Sequence, residues 1–98
     1  MPGSRSHDEA ARRIARKMRV EYNDGPGVDI KSPRATVEVE TSETVAEAPG
    51  QLRGHRGPVY IAGTTQSAVE KALEVVNGTT IGVMDSEGKT VKRSTRKK

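Results

Sequence analysis

The N-terminal part of the chain carries a helical repeat of apolar side chains. Ala10, Ile14 and Met18 recur at intervals of four, and basic residues take most of the positions between them. Side chains four residues apart lie on one face of a helix, so this spacing predicts an amphipathic helix over residues 7–19.

A period of two replaces the helical repeat at residues 36–41, where Val37 and Val39 alternate with Glu38 and Glu40. Successive side chains of a strand point to opposite faces of its sheet, so the valines share one face and the glutamates share the other. Shorter extended segments are predicted at residues 20–22, 28–30, 58–62, 80–84 and 90–92.

Two more helices complete the predicted order of elements. Residues 42–56 form an interrupted helix, broken at Pro49 and Gly50, and residues 64–76 form a capped helix with an apolar stripe. The order α-β-β-β-α-β-α-β-β predicts one α/β domain over residues 1–92, with a mixed sheet flanked by helices. Residues 93–98 are predicted to be a basic flexible tail.

The composition excludes several classes of protein. The chain of 98 residues is long enough for one domain. It contains no cysteine, which excludes disulfides, iron–sulfur clusters and cysteine-based zinc sites. Two tyrosines without Phe or Trp disfavour a platform on which single-stranded bases stack. No long apolar run and no apolar leader are present, so we expect a cytoplasmic protein.

The net charge of +4 is distributed unevenly along the chain. Residues 1–20 carry six basic and two acidic side chains, residues 21–88 carry five and eleven, and residues 89–98 carry six and none. The basic ends favour contacts with phosphate groups. The acidic middle of the chain needs a separate explanation.

Three carboxylates of this middle segment are expected to lie together. If residues 28–30 pair with residues 36–40, the hairpin brings Asp29 close to Glu38 and Glu40. Carboxylates that close together need a compensating cation, and oxygen ligands suit Mg²⁺ or Mn²⁺. The alternative is an exposed strand face that carries two glutamates, and the pattern alone leaves this interpretation open.

Four motifs follow one another in the first two-thirds of the chain: a helix with an early acidic residue, G-V-D-I at residues 27–30, V-E-V-E-T at residues 37–41, and Q-L at residues 51–52 before an apolar strand. Their order resembles the PD-(D/E)XK nuclease superfamily, which includes restriction endonucleases and archaeal Holliday-junction resolvases. The resemblance covers about two-thirds of the chain and implies an αβββαβ core over residues 7–62. It also implies metal-dependent hydrolysis of DNA phosphodiester bonds.

The resemblance assigns roles to individual residues. Asp29 matches the metal-binding aspartate, Glu38 matches the second metal ligand, and the carbonyl of Val39 is the implied third ligand. Glu9 lies where the resolvase branch has an acidic residue on its first helix, and the resemblance implies that it is a further metal ligand. Gln51 matches the glutamine that follows the acidic strand in that branch, and would position the water or the backbone.

Glu40 departs from the family pattern, because the family usually has Lys at this position. Some restriction enzymes use a second Glu there as a metal ligand or a base, and Glu40 would act in the same way. The departure leaves open a second interpretation, a non-catalytic nucleic-acid-binding or assembly protein on the same fold. A third is a small RNA-associated protein with basic ends.

DNA, either duplex or branched, is the expected partner. The two histidines, His7 and His55, are interpreted as surface residues, although His7 is close enough to Glu9 to lie beside the metal site. A homodimer is expected because the chain is small and cutting two strands needs two sites, with residues 59–62 or 68–76 as its interface. The expected phosphate contacts are Arg12, Arg16, Arg53, Arg56, Lys92 and Arg93.

Overall fold

The computed structural model describes residues 5–23, 28–52, 54–55 and 57–96. These residues form an α/β fold with one mixed sheet of five strands, which are arranged in chain order from β1 to β5. The elements are α1 (Arg5–Met18), β1 (Ile30–Lys31), β2 (Thr36–Glu40), a 3₁₀ turn (Val45–Glu47), α2 (Ala48–Gln51), β3 (Val59–Gly63), α3 (Gln66–Val75), β4 (Gly82–Met84) and β5 (Thr90–Lys92).

The pairing of strands changes direction twice across the sheet. β1 and β2 form an antiparallel hairpin in which Ile30 lies opposite Val37. β2 and β3 run parallel, from Thr36 opposite Val59 to Glu40 opposite Gly63. β3 and β4 are also parallel, with α3 between them in the chain, and β5 returns antiparallel to β4.

Apolar side chains cover both faces of the sheet. On one face Ala11 and Ile14 of α1 pack in a core with Val37 and Val39. On the other face the core contains Ile61 of β3 together with residues of α2 and α3. The expected alternation of β2 is confirmed, because its valines belong to the α1 side and its glutamates alternate with them. The α/β class and the mixed sheet flanked by helices are also confirmed.

The predicted strand at residues 20–22 is wrong. The helix that was expected over residues 7–19 runs from Arg5 to Met18 and is closed by two backbone hydrogen bonds. The N–H of Val20 donates to the carbonyl of Ala15 at 2.9 Å, and the N–H of Arg19 donates to the carbonyl of Arg16 at 3.1 Å. These bonds end the helix, and Val20 and Tyr22 then pack against the α1 core without joining the sheet.

The C-terminal segment differs from the expected flexible tail over the residues that the structure describes. Ser94 is buried, and its Oγ accepts a hydrogen bond from the N–H of Val59 at 3.1 Å. The guanidinium of Arg96 donates to the carbonyls of Leu52 and His55 at 3.1 and 3.2 Å. Sequence composition does not reveal these contacts, since they join residues about 40 positions apart. Residues 97–98 lie outside the described residues.

Both surfaces expected at a dimer interface are used inside the fold. Residues 59–62 belong to β3, which is paired on both of its edges. The apolar stripe of residues 68–76 packs in the core beneath α3. A homodimer stays a prediction, but it needs a different surface. Of the helices in the described part of the chain, none has the length and apolar character required to cross a membrane.

Candidate functional site

Asp29 and β2 are joined by two hydrogen bonds at the start of the hairpin. Because Ile30 lies opposite Val37, Asp29 reaches the level of Glu38. The N–H of Asp29 donates to Glu38 Oε1 at 2.9 Å, and Asp29 Oδ2 accepts from the N–H of Val39 at 2.8 Å. Asp29 precedes β1, and its carboxylate therefore extends the pairing with β2 by one residue before β1 begins. The structure brings Asp29 together with Glu38, as the sequence predicted.

The two glutamates of β2 are buried. Glu38 is 4% exposed and Glu40 is 6% exposed, on the sheet face opposite α1. This burial excludes the alternative of an exposed strand face. Acidic side chains are almost never fully buried unless a partner compensates their charge. The burial of two of them on one strand therefore points to a function.

Gln51 covers the two glutamates from the short helix α2. The polar atoms of the Gln51 side chain are satisfied when its amide nitrogen faces the carboxylates. In this orientation the nitrogen donates to Glu38 Oε2. The same nitrogen donates to Glu40 Oε2 at 3.2 Å. Pro49 lies at the N-terminus of α2, where its fixed φ favours the first turn and positions Gln51. The structure thus brings together Asp29, Glu38, Glu40 and Gln51.

The buried carboxylates hold protons more tightly than usual. Burial raises the pKa of Glu38 from its ordinary 4.5 to about 8, and the negative charge of Asp29 acts in the same direction. Burial also raises the pKa of Glu40, while a hydrogen bond with Thr44 opposes that shift. Without a bound cation, both shifts favour the protonated, uncharged form of these two side chains.

His7 of α1 is the cation beside this cluster. Its Nε2 lies 3.2 Å from Asp29 Oδ2, and the hydrogen bond with Asp29 raises the pKa of His7 to about 9 in spite of partial burial. Tyr22 lies behind it, with its hydroxyl donating to Asp8 Oδ1 at 2.9 Å and lying 3.4 Å from His7 Nδ1. His7 is therefore not a surface residue, as its main interpretation expected, but lies beside the site, which was the alternative. Tyr22 is the functional candidate that sequence reasoning missed.

A signal for His7 was present in the helical repeat. His7 precedes Ala11 by four positions and Ile14 by seven, so it continues the buried stripe of α1 toward the N-terminus. Glu9 lies two residues further along, which is about 200° around the helix, and its side chain is exposed. The structure places Glu9 on the solvent side of α1, and its role as a metal ligand stays a prediction.

The oxygen donors of this site suit a hard cation. Within residues 5–23, 28–52, 54–55 and 57–96, no group of three or more His, Asp or Glu side chains is arranged to hold a metal ion. Mg²⁺, however, is often bound through only one or two carboxylates, with waters completing its shell. Asp29 and Glu38 supply two carboxylates, and the carbonyl of Val39 faces the same edge of β2 as its N–H. These three residues could hold Mg²⁺ or Mn²⁺.

The basic residues expected to contact phosphates divide into three groups. Arg12 and Arg16 are exposed one turn apart on α1 and line a groove of about 500 Å³ that also contains Tyr22. Lys92 and Arg93 lie at the β5 edge, about 14 Å from β2 at a spacing of about 4.8 Å per strand. Lys92 Nζ already donates to the carbonyl of Ile81 at 2.6 Å. The remaining two, Arg53 and Arg56, lie outside the described residues.

Known proteins provide no direct guide to this site. Comparisons of the chain with protein-family models, curated proteins and solved structures gave no match. The functional interpretation therefore depends on the geometry and chemistry of the buried carboxylates.

Proposed function

We propose that the chain is a metal-dependent DNA endonuclease with a restriction-endonuclease-like αβββαβ core. The hairpin of β1 and β2 and the parallel pairing of β2 with β3 support this core. Over residues 7–62, however, the order is α1-β1-β2-α2-β3, one strand fewer than αβββαβ, because residues 20–22 do not join the sheet. The observation that carries the proposal is the burial of Glu38 and Glu40 beside Asp29. Buried carboxylates with raised pKa values are typical of catalytic and metal-binding sites.

The residues of the cluster have separate roles in the proposed reaction. Asp29 and Glu38 hold Mg²⁺ or Mn²⁺, together with the carbonyl of Val39. When bound, the cation supplies a Lewis acid for a phosphate oxygen and lowers the pKa of a water. Glu40 is a further ligand or accepts a proton on its carboxylate, a task that its raised pKa suits.

Two neighbours keep the carboxylates in position. Gln51 donates to both Glu38 and Glu40, which fixes the two side chains relative to each other. His7 holds Asp29 through the contact at 3.2 Å. Arg12 and Arg16, exposed along α1, present positive charge to the phosphates of duplex or branched DNA.

A cleavage assay with matched variants tests this function. Supercoiled plasmid and a four-way DNA junction are incubated with the protein and Mg²⁺, Mn²⁺ or EDTA. We expect cleavage that requires the cation and that falls at least about 100-fold in Glu38→Gln. Glu74→Gln, an exposed acidic residue on α3, is the control and should cleave as the unchanged chain does. Equal cleavage by both variants would contradict the proposal and would indicate a contaminating nuclease.

A non-catalytic nucleic-acid-binding protein is the second candidate. It is favoured by Glu40 at the position where the family usually has Lys, and by the lack of a ready-made group of three metal ligands within the described part of the chain. It predicts no cleavage with either cation and DNA affinity that is unchanged in Glu38→Gln. A nuclease predicts cation-dependent cleavage that Glu38→Gln abolishes, so one pair of measurements separates the two functions.

A further inference from the structure

A basic groove lies at the opposite end of α1 from His7. Its volume is about 580 Å³, and its charged lining residues are Lys17, Arg19 and Arg34. Lys17 follows His7 by ten positions, which places the groove about 15 Å along the helix from the carboxylate site. It shares no lining residue with the groove next to Tyr22.

The groove is built by the end of α1, the turn between β1 and β2, and the turn between β4 and β5. The end of α1 contributes Lys17 and Arg19, and the turn between β1 and β2 contributes Arg34. Ser32 holds that turn, because its Oγ accepts from the N–H groups of Arg34 and Ala35 at 3.2 and 3.1 Å. The backbone positions of Lys17, Arg19 and Arg34 are therefore fixed by the end of α1 and by this turn.

The turn between β4 and β5 closes the groove at Gly88. A Cβ at Gly88 would lie only 3.3 Å from Cδ of Lys17, and the φ of Gly88 is +79°. Glycine therefore allows this turn to approach the aliphatic stem of Lys17 closely. The aliphatic stem of Lys17 therefore packs against this turn.

Arg19 adopts the left-handed backbone conformation, which is disfavoured for residues that have a Cβ. Its φ is 61°, at the position after the helix end where glycine is common. The two hydrogen bonds that close α1 stabilise this conformation. An arginine here contributes a guanidinium group that the local fold does not need, and residues in disfavoured conformations are concentrated at functional sites.

The groove carries positive charge without an acidic residue in its lining. Glu87 is next to Gly88 in the chain, but its carboxylate pairs with Arg13 at 3.4 Å. Three cations from two segments of the chain repel one another unless an anion lies between them. Arg12 and Arg16 add positive charge along α1 toward His7, in a groove whose lining also contains Glu21. Basic residues spread along the helix match an extended polyanion better than a single phosphate ion.

We propose that the groove of Lys17, Arg19 and Arg34 binds the phosphodiester backbone of duplex DNA as a second contact, about 15 Å from the carboxylate site. The inference deepens the proposed function and rests on DNA as its substrate. A distance of about 15 Å spans about four phosphates of one strand. The bound duplex therefore extends along α1, past Arg12 and Arg16, from the end of the helix where His7 contacts Asp29 to the groove.

Salt-dependent binding of the full chain to DNA tests the groove. A fluorescent 20-base-pair duplex is titrated by anisotropy in EDTA, over a series of NaCl concentrations. In Arg19→Gly and Arg34→Gln we expect affinity at 0.1 M salt to fall about 5- to 10-fold per lost contact, and the slope of log K against log salt to fall by about 0.9. Lys71→Gln, an exposed cation on α3 across the sheet, is the control and should change neither quantity.

Arg19→Gly also separates a binding role from a structural one. Glycine relieves the disfavoured backbone conformation, so the variant should melt no lower than the unchanged chain while binding DNA more weakly. If Arg19→Gly and Arg34→Gln have the same affinity and salt slope as Lys71→Gln, the proposal that DNA binds in the groove is overturned. Tighter binding of an RNA duplex of the same sequence, lost in the same variants, would overturn its assignment to DNA.

Failure of the groove and failure of the nuclease have different signatures. Groove variants that bind DNA normally, in a chain that still cleaves it, contradict only the groove. A chain that never cleaves DNA, but loses affinity in Arg19→Gly and Arg34→Gln, contradicts only the endonuclease and supports the groove.

Discussion

The backbone N–H of Asp29 donates a hydrogen bond to Oε1 of Glu38 at 2.9 Å, so the two acidic residues fix each other's position. The carboxylate of Asp29 in turn accepts from the N–H of Val39. The site is therefore held by the strand pairing itself, which links its geometry to the stability of the hairpin. Variants at Asp29 should separate the two effects.

Replacing Asp29 by alanine should destabilise the fold more than replacing it by asparagine. In Asp29→Ala the buried N–H of Val39 loses its acceptor, and we expect the free energy of unfolding to fall by about 1–3 kcal/mol. Asp29→Asn keeps a side-chain oxygen for this bond and should retain most of the stability. Urea unfolding of the two variants measures the difference, and equal losses would contradict the structural role of this bond.

Stability without divalent cations should fall as the pH rises. The pKa of Glu38 is about 8 in the folded chain against an ordinary 4.5, so the folded state binds more protons between these values and loses stability through that window. The pKa of His7 is about 9 against 6.5, so its contribution is complete below pH 6.5 and is lost through pH 9. Both shifts act in the same direction.

Thermal melting in EDTA from pH 5 to pH 9 checks this dependence. We expect the melting temperature to drop by about 5 °C or more across the series, since about 1 kcal/mol corresponds to about 4–8 °C for a domain of this size. Glu38→Gln removes the acid that titrates and should flatten the profile below pH 8. A profile that rises with pH, or one that Glu38→Gln leaves unchanged, would contradict the shifted pKa of Glu38.

The sequence predicted the sheet better than it predicted the environment of the site. Alternation at Val37 and Val39 identified β2 and its two faces, and the turn residues before it identified the hairpin. The burial of Glu38 was not visible in the sequence, because it depends on α2 and α3 covering that sheet face. The strand expected at residues 20–22 failed because a local alternation cannot show whether a partner strand is present.

The C-terminal segment illustrates the same limit of local patterns. Ser94 lies in a run of basic residues that is typical of a disordered tail, yet it bonds β3 and the segment before β4 at once. In Ser94→Ala the buried N–H of Val59 loses its acceptor, so we expect a loss of about 1–3 kcal/mol in the free energy of unfolding. Arg93→Ala, an exposed neighbour, is the control and should stay within about 0.5 kcal/mol. Equal stability of the two variants would indicate that the segment is not docked.

A pair of glycine substitutions tests the packing of β5 against β4. A Cβ at Gly82 would lie 2.5 Å from the carbonyl oxygen of Lys92 and 2.6 Å from the nitrogen of Ser94. Gly82→Ala should therefore destabilise the fold by more than about 2 kcal/mol, because backbone atoms must move. Gly50, by contrast, has nothing within 4 Å of such a Cβ, and Gly50→Ala should be neutral or slightly stabilising. Unfolding in urea compares the two, and a tolerated Gly82→Ala would contradict the strand register.

Anomalous diffraction from crystals soaked in Mn²⁺ tests the central claim most directly. The account predicts one strong peak between Asp29 and Glu38, with carboxylate oxygens at about 2.0–2.6 Å, the range of oxygen ligands to Mg²⁺ and Ca²⁺. Glu38→Gln crystals treated identically should lose the peak, while Glu74→Gln crystals should keep it. A fully soaked crystal with no peak between Asp29 and Glu38 would contradict a cation site at the buried carboxylates.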